Sequence, residues 1–248
     1  MKTLQWAAWA ACLLVVTTLT TARADDAAKT GFQTLTYKDS DGKEVKYVLF
    51  VPHDYKGDKP FPLILFLHGA GETYDGKNEG KQAKVGIGPA VEKQEKTFPA
   101  FVLMPQAQKR GWQATGEDAQ RALDILKAVQ KDYKIDDKRL YLSGLSMGGF
   151  GTWSLAAKYP DKWAAIVPIC GGGNAKDAEK IKDIPCWVFH GDADKQVVVE
   201  KSREMIAALK EAGGKPKYDE YPGVGHNSWD KAYANKELFD WLFLQQKK

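Results

Sequence analysis

One serine of this 248-residue chain lies in a pattern that would make its hydroxyl a nucleophile. Gly144-Leu145-Ser146-Met147-Gly148 is a G-x-S-x-G motif between a short apolar run and a helical pattern. Serine nucleophiles occupy such strained strand-to-helix corners, where flanking glycines let neighbouring backbone pass closely. The helix N-terminus and the N–H of Met147 would then point at a developing oxyanion. The motif therefore predicts attack by Ser146 on an acyl carbonyl.

A neutral serine hydroxyl needs a general base, and the chain offers four histidines. His53 follows an early edge segment, while His68 and His190 each end a buried apolar run. His226 lies in the loop Pro222-Gly223-Val224-Gly225-His226, after the last predicted strand, where it could reach a serine at the same edge. The chain order Ser, acid, His is typical of one serine-hydrolase architecture. We therefore predict His226 as the base.

The acid that orients this histidine is expected after the preceding strand. There the segment His190-Gly191-Asp192-Ala193-Asp194 offers two carboxylates, either of which could hold the imidazole tautomer and stabilise the imidazolium. Asp192 lies close to the strand end and could simply close the turn. Asp194 has more reach toward the loop of His226. We predict Asp194 as the acid, with Asp192 as the alternative.

The oxyanion of an acyl-transfer intermediate needs two backbone N–H donors. In this arrangement one belongs to Met147, and the other to the loop after the first buried strand. That loop, Leu67-His68-Gly69-Ala70-Gly71-Glu72, is rich in small residues, which let the backbone approach a substrate carbonyl. We predict the N–H of Ala70 as the second donor, with that of Gly71 as the alternative.

Two tryptophans are predicted as substrate-binding residues. Trp112 follows the run that ends at Met104, and Trp229 comes just after His226. An indole ring at either place could stack on a sugar or an aromatic acyl group. Ordinary packing in the protein interior is the alternative for each.

These side chains need a scaffold that brings distant segments to one edge. Short apolar runs without strict alternation suit strands that are buried on both faces of a parallel sheet. The predicted buried strands are 62–67, 100–104, 140–142, 164–169, 186–189 and, more weakly, 217–221. Two earlier runs, 32–37 and 43–51, flank a turn signal and predict an antiparallel hairpin.

Helical patterns fill the gaps between the predicted strands. The predicted helices are 119–133, 147–158, 205–212 and 238–242, with a short helical stretch at 175–182. Strands that alternate with helices predict a single α/β domain with a doubly wound, mostly parallel sheet. Ligands of such sheets bind at the carboxyl ends of the strands, where all the candidate residues fall.

The composition excludes several classes of protein. Hydrophobic residues make up 44% and charged residues 27%, which excludes a disordered or collagen-like chain. The formal charge of +4 comes from scattered basic residues, so no nucleic-acid partner is predicted. Cys170 ends one predicted strand and Cys186 begins the next. Since a strand length of about 13–17 Å would separate them, we predict two free buried thiols.

The first 24 residues predict an export signal. Lys2 is followed by the mostly apolar stretch 4–19, and Ala22-Arg23-Ala24 gives the small-x-small pattern of a cleavage site. A retained anchor is the alternative, but the apolar stretch is short for a membrane span. We predict a signal peptide over 1–24 and a secreted or periplasmic catalytic domain over 25–248, without membrane insertion after cleavage.

Taken together, these motifs make the sequence resemble the α/β-hydrolase superfamily over essentially the whole predicted mature chain. The motifs are Leu-His-Gly-Ala-Gly, Gly-Leu-Ser-Met-Gly-Gly, His-Gly-Asp-Ala-Asp-Lys-Gln-Val and Gly-His. The chain is most similar to compact secreted esterases related to feruloyl and acetylxylan esterases and polyhydroxyalkanoate depolymerases. It also resembles predicted peptidases and dienelactone-hydrolase-like proteins. The resemblance implies cofactor-free serine hydrolysis by Ser146, Asp194 and His226, with Ala70 and Met147 at the oxyanion positions.

Many relatives carry a cap after the strand that follows the nucleophile helix, but here only residues 171–184 separate two strands. The absence of a cap predicts an open pocket that suits bulky or polysaccharide-linked acyl groups. The expected activity is ester hydrolysis through an acyl-enzyme, on a small-molecule or polymer-linked ester. The alternatives are a serine peptidase of the prolyl-oligopeptidase-like type and a non-catalytic binding protein. No metal site is predicted, since neither His-Glu-x-x-His nor paired-cysteine spacing occurs.

Overall fold

A computed structural model describes residues 29–39, 41–109 and 111–247. The predicted export signal, residues 1–24, lies outside the described residues. Within these ranges, no helix combines the length and the apolar character that a membrane span requires.

Eight strands of the described residues form one sheet, in the spatial order β1-β2-β4-β3-β5-β6-β7-β8. They are β1 (Gly31–Lys38), β2 (Glu44–Val51), β3 (Phe61–Leu67), β4 (Phe101–Pro105), β5 (Ile135–Leu145), β6 (Ala165–Ile169), β7 (Trp187–Gly191) and β8 (Lys217–Tyr221). The pairs β1–β2 and β2–β4 are antiparallel, and all the others are parallel. The predicted mostly parallel sheet with an N-terminal hairpin is confirmed.

Helices cover the sheet, as predicted for a doubly wound fold. They are α1 (Ile87–Lys93), α2 (Glu117–Asp132), α3 (Met147–Lys158), α4 (Ala178–Ile181), α5 (Glu200–Glu211), α6 (Trp229–Ala234) and α7 (Lys236–Phe243). The sequence did not predict α1 and α6, because seven and six residues give too few turns for a recognisable apolar stripe.

The core lies on both faces of the central strands. All seven residues of β3 are buried, and successive side chains alternate between the two faces of the sheet. Leu63 and Leu65 pack in one apolar cluster, while Ile64 and Phe66 pack in the other. Burial on both faces explains why this strand appears in the sequence as a continuous apolar run.

Burial explains why two strands were predicted incompletely or only weakly. β5 begins at Ile135, five residues before the predicted start, and the prediction missed this first half because it carries mostly charged side chains that are not buried. β8 matches the weak prediction at 217–221, and none of its residues is buried. A strand with no buried residue leaves little hydrophobic pattern in the sequence.

The parallel strands bring four loops to one edge of the sheet. The ends of β3 and β5 are adjacent, since Leu67 pairs with Gly144, and the ends of β7 and β8 are adjacent through Gly191 and Tyr221. Between β6 and β7 the structure holds only a short 3-10 turn and the four-residue α4. No cap domain is inserted there, which leaves this edge of the sheet uncovered by an extra layer.

Candidate active site

Ser146 occupies a strained corner between β5 and α3. Its φ of 52° and ψ of −116° lie outside the regions that non-glycine residues ordinarily adopt. The corner is held from both sides, because the N–H of Ser146 donates to the carbonyl of Ile169 at 2.9 Å and its carbonyl accepts from Phe150 at 3.0 Å. The result is a partly exposed hydroxyl at the carboxyl edge of the sheet.

Backbone contacts around this corner leave no space for a side chain at three glycines. A Cβ on Gly144 would lie 2.3 Å from the carbonyl oxygen of Gly148, and one on Gly148 would lie 1.9 Å from that of Leu67. A Cβ on Gly149 would lie 2.4 Å from the carbonyl oxygen of Ile169. The glycines of the motif are therefore required by close backbone packing.

A continuous hydrogen-bond chain joins the three predicted triad side chains. Oγ of Ser146 lies 2.9 Å from Nε2 of His226, and Nδ1 of His226 lies 2.7 Å from Oδ2 of Asp194. A carboxylate only accepts hydrogen bonds, so Nδ1 carries the proton and Nε2 can accept from the serine hydroxyl. The Asp194 side chain is fully buried and that of His226 is 12% exposed. This arrangement can pass the serine proton to the imidazole.

Asp194 is held in position by the backbone of its own loop. Its Oδ1 accepts hydrogen bonds from the N–H groups of Gln196 at 2.8 Å and Val197 at 3.0 Å. Burial alone would raise the pKa of Asp194, but the hydrogen bonds from His226 and these N–H groups lower it below its ordinary value. The carboxyl is therefore kept ionised, as an orienting acid requires.

The alternative acid, Asp192, has another partner. Asp192 is exposed, and its Oδ1 accepts the N–H of Gly223 at 2.7 Å. This bond joins the loop after β7 to the loop that leads to His226. The structure thus gives Asp192 the turn-closing contact that its position next to the strand end suggests.

His190 is a buried contact of the acid that the sequence does not reveal. Its Nε2 lies 3.2 Å from Oδ2 of Asp194 and 2.9 Å from the carbonyl of Val197, so this nitrogen faces two acceptors and carries a hydrogen. Its Nδ1 lies 2.7 Å from Oγ of Ser202. From sequence, His190 is distinguished only as the end of a strand. Its spacing of four residues before Asp194 is the one available signal.

The loop after β3 lies beside the nucleophile, where an oxyanion donor is needed. Residues Ala70–Glu72 form a short 3-10 turn. The position that a Cβ on Gly69 would occupy is 3.7 Å from Cβ of Ser146, which places this loop next to the serine. Met147 is the first residue of α3, so its N–H has no acceptor within the helix. The assignment of the donors to Ala70 and Met147 remains a prediction.

The two predicted substrate-binding tryptophans lie in different surroundings. Trp112 is 1% exposed, its indole N–H donates to the carbonyl of His68 at 3.0 Å, and it packs against Gly151. The predicted stacking role of Trp112 is therefore wrong, because its ring is part of the core. Trp229 is partly exposed and packs edge-on against the His226 ring at 5.4 Å. A role for Trp229 in substrate binding remains a prediction.

The remaining histidines have structural contacts. His68 donates from Nδ1 to the carbonyl of Gly69 at 2.6 Å and accepts at Nε2 from the N–H of Ala107 at 2.9 Å. Burial lowers the pKa of His68 to about 4, in agreement with a neutral ring that donates once and accepts once. His53 lies near the surface and pairs with Glu95 at 3.0 Å.

Among the described residues, one group has possible ligand atoms close enough together to hold a metal ion. Possible ligand atoms of Cys170, Asp194 and His226 lie within 4.8 Å of one another. Two of these residues belong to the hydrogen-bond chain, so a metal ion there would compete with that chain. Burial raises the pKa of Cys170 to about 12, which keeps its sulfur a neutral thiol. Cys170 and Cys186 are both buried and unpaired, as predicted.

Comparison with known proteins connects this site to hydrolases. The chain is 28% identical over 162 residues to the probable feruloyl esterase C of Aspergillus flavus, over 64% of this chain and 59% of that protein. It is 26% identical over 233 residues to the uncharacterized peptidase YuxL of Bacillus subtilis, over 77% of this chain and 35% of that protein. The crystal structure of a thermostable esterase matches with a TM-score of 0.77 and 37% identity, over 87% of this chain and 63% of that chain. The chain thus spans less than two thirds of each of these proteins.

A family-level match covers the sheet and the site together. The model of the dienelactone hydrolase family matches residues 44–237, which include β2 to β8 and the residues Ser146, Asp194 and His226. The sheet order and the strained serine corner agree with the α/β-hydrolase fold that the sequence motifs predict. The match extends over more than half of the 248 residues, and the chain belongs to the dienelactone hydrolase family.

Proposed function

We propose that this protein hydrolyses carboxylic esters through an acyl-enzyme intermediate on Ser146. The observation that carries the proposal is the unbroken contact from Oγ of Ser146 through the His226 ring to the buried carboxylate of Asp194, at 2.9 and 2.7 Å. Each distance is within hydrogen-bond range, and the order of donors suits proton removal from the serine. The esterases among the similar proteins support the same activity.

The first half of the reaction forms the acyl-enzyme. As Oγ of Ser146 attacks the ester carbonyl, its proton moves to Nε2 of His226, and the buried carboxylate of Asp194 stabilises the resulting imidazolium. The carbonyl oxygen becomes an oxyanion, to which the N–H groups of Ala70 and Met147 donate. The intermediate collapses when His226 returns the proton to the leaving alcohol.

The second half of the reaction releases the acid. A water molecule gives a proton to His226 and attacks the acyl carbonyl, and the same two N–H groups stabilise the second oxyanion. Collapse of this intermediate returns the proton to Oγ of Ser146 and frees the carboxylic acid. Every proton in this cycle moves between the substrate, water, Ser146 and His226, so the proposed reaction needs no cofactor.

The proposed substrates are esters with bulky or polysaccharide-linked acyl groups. The stretch between β6 and β7 carries no cap, and an uncapped edge admits substrates attached to a polymer. The partly exposed ring of Trp229, next to His226, offers an aromatic surface for stacking against an acyl group or a sugar. The similarity to a probable feruloyl esterase supports an aromatic acyl group.

Peptide hydrolysis is the second candidate activity. The same triad cleaves amides when the leaving amine is positioned and protonated, and one of the similar proteins is named an uncharacterized peptidase. Several of the similar proteins are named feruloyl esterases, and one matching structure is that of a thermostable esterase. We therefore place ester hydrolysis first.

A labelling experiment with three substrates tests both candidates. A fluorophosphonate probe is expected to label the wild-type protein and not Ser146→Ala, and Cys170→Ala serves as a control that keeps the labelling. Hydrolysis of methyl ferulate and p-nitrophenyl acetate is expected, with kcat/KM well above that for a peptide p-nitroanilide. Equal labelling of wild type and Ser146→Ala would contradict the proposal, and preferential cleavage of the peptide would favour the second candidate.

Export of the protein is part of the proposal. If the signal is cleaved after Ala24, N-terminal sequencing of the protein from the periplasm or the medium should begin at Asp25. Activity is expected to persist in EDTA, because the proposed reaction uses no metal ion. Recovery of the intact N-terminus in a membrane fraction would contradict the export proposal without affecting the proposed chemistry.

A further inference from the structure

A carboxylate lies beside the nucleophile and takes no part in the hydrogen-bond chain that ends at Asp194. Glu72 is the last residue of the short turn after β3, in the loop that carries the predicted oxyanion donor Ala70. The position that a Cβ on Gly69 would occupy is 3.2 Å from Oε2 of Glu72 and 3.7 Å from Cβ of Ser146. Since both atoms lie near this one point, Oε2 of Glu72 is within about 7 Å of Cβ of Ser146, on the side of the nucleophile that the loop after β3 occupies.

The charge of Glu72 is only partly compensated. Within the part of the chain that the structure describes, no basic side chain forms an ion pair with its carboxylate. The nearby ammonium of Lys81 instead donates to the carbonyl of Gly71 at 2.8 Å and is exposed to solvent, which weakens its attraction for Glu72. A charged group on a substrate that binds beside Ser146 would therefore interact electrostatically with the Glu72 carboxylate.

The surroundings of Glu72 combine burial with hydrogen bonding to the anion. Burial is the largest effect and raises the pKa of the Glu72 carboxyl above its ordinary value. The charge of Lys81 and the N–H groups of Gly69 and of Glu72 itself act in the opposite direction and favour the carboxylate. A partly buried carboxylate interacts more strongly with other charges than one in open solvent.

We propose that Glu72 makes the site selective for charge, so that esters with an anionic group close to the scissile bond react more slowly than neutral or cationic esters of similar shape. This inference rests on the proposed ester hydrolysis at Ser146 and deepens it by naming the substrate class. Two unit charges separated by about 7 Å in a partly solvated site repel by an amount that corresponds to about tenfold in kcat/KM. Esters of neutral polyols carry no anionic group near the scissile bond and belong to the favoured class. Their hydroxyl groups can also donate hydrogen bonds to the Glu72 carboxylate.

Three aryl acetates with the same acyl group test the proposal. They are 3-acetoxybenzoate, 3-acetoxybenzamide and 3-acetoxy-N,N,N-trimethylanilinium, which are anionic, neutral and cationic. The kcat/KM of each variant is divided by that of wild type for each ester, so that differences in intrinsic reactivity cancel. Methyl hydrogen glutarate and methyl 4-carbamoylbutanoate repeat the comparison with the charge on the acyl part. Selectivity is expected for at least one of the two positions of the charge.

The variants separate charge from structure. Glu72→Gln is expected to raise kcat/KM for the anionic ester by about tenfold relative to the neutral one, and to lower it for the cationic ester. Glu72→Asp keeps the charge and is expected to keep most of the wild-type discrimination. Glu211→Gln is the matched control, because it removes the same charge from an exposed residue at the end of α5. For Glu211→Gln, the value of kcat/KM divided by that of wild type should be the same for the anionic, neutral and cationic esters.

In the wild-type protein, the ratio of kcat/KM for the neutral ester to kcat/KM for the anionic ester can be measured at several salt concentrations. This measurement gives an independent test that requires no variant. Between 0.1 and 1 M NaCl the screening length falls from about 10 Å to about 3 Å, so the preference against anionic esters should shrink. Unchanged ratios in Glu72→Gln, or a wild-type ratio that does not respond to salt, would overturn the inference. Ser146→Ala distinguishes this failure from failure of the proposed function, because only residual hydrolysis by that variant argues against the triad.

Discussion

The two sides of the candidate site differ in how much they depend on close backbone packing and how much on side-chain hydrogen bonds. The nucleophile corner, residues 144–149 with the end of β3, packs backbone against backbone. A Cβ on Gly148 would lie 1.9 Å from the carbonyl oxygen of Leu67. The acid–base arm, residues 190–197 and 222–229, adds side-chain hydrogen bonds to a main-chain bond from Ala193 to Val224. A Cβ on Gly225 in the arm would meet no atom within 4 Å.

This difference predicts different responses to substitution. In the nucleophile corner, a single added carbon must displace main-chain atoms, which the buried strands on both sides prevent. In the acid–base arm only Gly191 is packed as closely, since a Cβ there would lie 2.2 Å from the carbonyl oxygen of Val224. The backbone around Gly225 has space, and there the functional variable is the orientation of two or three side chains. Substitutions at the glycines of the corner should therefore abolish activity at once, whereas substitutions of the hydrogen-bonding side chains of the arm should lower activity in steps that follow the hydrogen bonds removed.

The matched pair Gly148→Ala and Gly225→Ala provides the strongest test of this comparison. Gly148→Ala is expected to lower the free energy of unfolding by more than about 4 kcal/mol and to abolish activity, because the methyl group would overlap Leu67. Gly225→Ala is expected to change the free energy of unfolding by less than about 1 kcal/mol. Urea unfolding and hydrolysis of p-nitrophenyl acetate measure both effects. A Gly148→Ala protein with wild-type stability would contradict the comparison.

The choice between two carboxylates gives the next largest effect. Asp194→Asn is expected to reduce kcat by about 10⁴, since an amide no longer holds the His226 ring in the required tautomer. Asp192→Asn is the control, because the amide oxygen can still accept the N–H of Gly223 and the change leaves His226 untouched. The same esterase assay and the rate of fluorophosphonate labelling measure both variants. The reverse outcome would assign the orienting role to Asp192.

The same contrast explains what the sequence reveals about the site. Backbone contacts in the corner exclude a side chain at positions 144, 148 and 149, so glycines must appear at fixed spacing around Ser146 and form a motif. The convergence of Asp194 and His226 on Ser146 was predictable because parallel strands carry them to one edge in a typical order. The contact of His190 with Ser202 could not be predicted, since it joins a strand end to a helix 12 residues further along the chain.

The direction in which a loop side chain points is the second feature that could not be predicted from the sequence. Trp112 follows β4 at the correct edge, yet its ring turns inward against Gly151 and the carbonyl of His68. Nothing in the spacing of an indole in a loop shows which way it points. Glu72 illustrates the converse, because its position in the loop was evident from the sequence. Its approach to Ser146 depends on how the 3-10 turn folds back.

The corner and the arm also differ in what their histidines must do. His226 in the arm is proposed to gain and lose a proton in each catalytic cycle, whereas His68 beside the corner is held neutral, with a pKa of about 4 against an ordinary 6.5. As pH falls from 6.5, the unfolded chain binds a proton at His68 before the folded protein does. Between pH 6.5 and pH 4, the free energy of unfolding is therefore expected to fall by about 3 kcal/mol from this residue.

Urea unfolding of wild type and His68→Gln at several pH values isolates this contribution. The glutamine can donate to Gly69 and accept from Ala107, but it does not titrate. The difference in stability between the two proteins should therefore shrink as pH falls from 6.5 to 4. A difference that stays constant over this range would show that His68 titrates alike in the folded and unfolded chains.

His190 should give the smallest effect on activity, and it tests whether the arm responds in steps. Its Nε2 supplies Asp194 with a donor on the same oxygen that accepts from His226, so His190→Gln is expected to let the carboxylate turn. We expect kcat to fall about tenfold, because a small misorientation of the base slows proton transfer, while KM for a neutral ester stays unchanged.

Two measurements separate positioning by His190 from structural support of the fold. Titration with the fluorophosphonate counts the sites that are folded and reactive, so kcat can be expressed per reactive site. Ser202→Ala serves as the control, since it removes the partner of Nδ1 and keeps the contact between His190 and Asp194. A normal kcat per reactive site in His190→Gln would mean that this histidine only stabilises the loop. A tenfold loss of kcat per reactive site in His190→Gln, together with a nearly wild-type kcat in Ser202→Ala, would show that activity in the arm falls with each hydrogen bond removed. This response would differ from that of the corner.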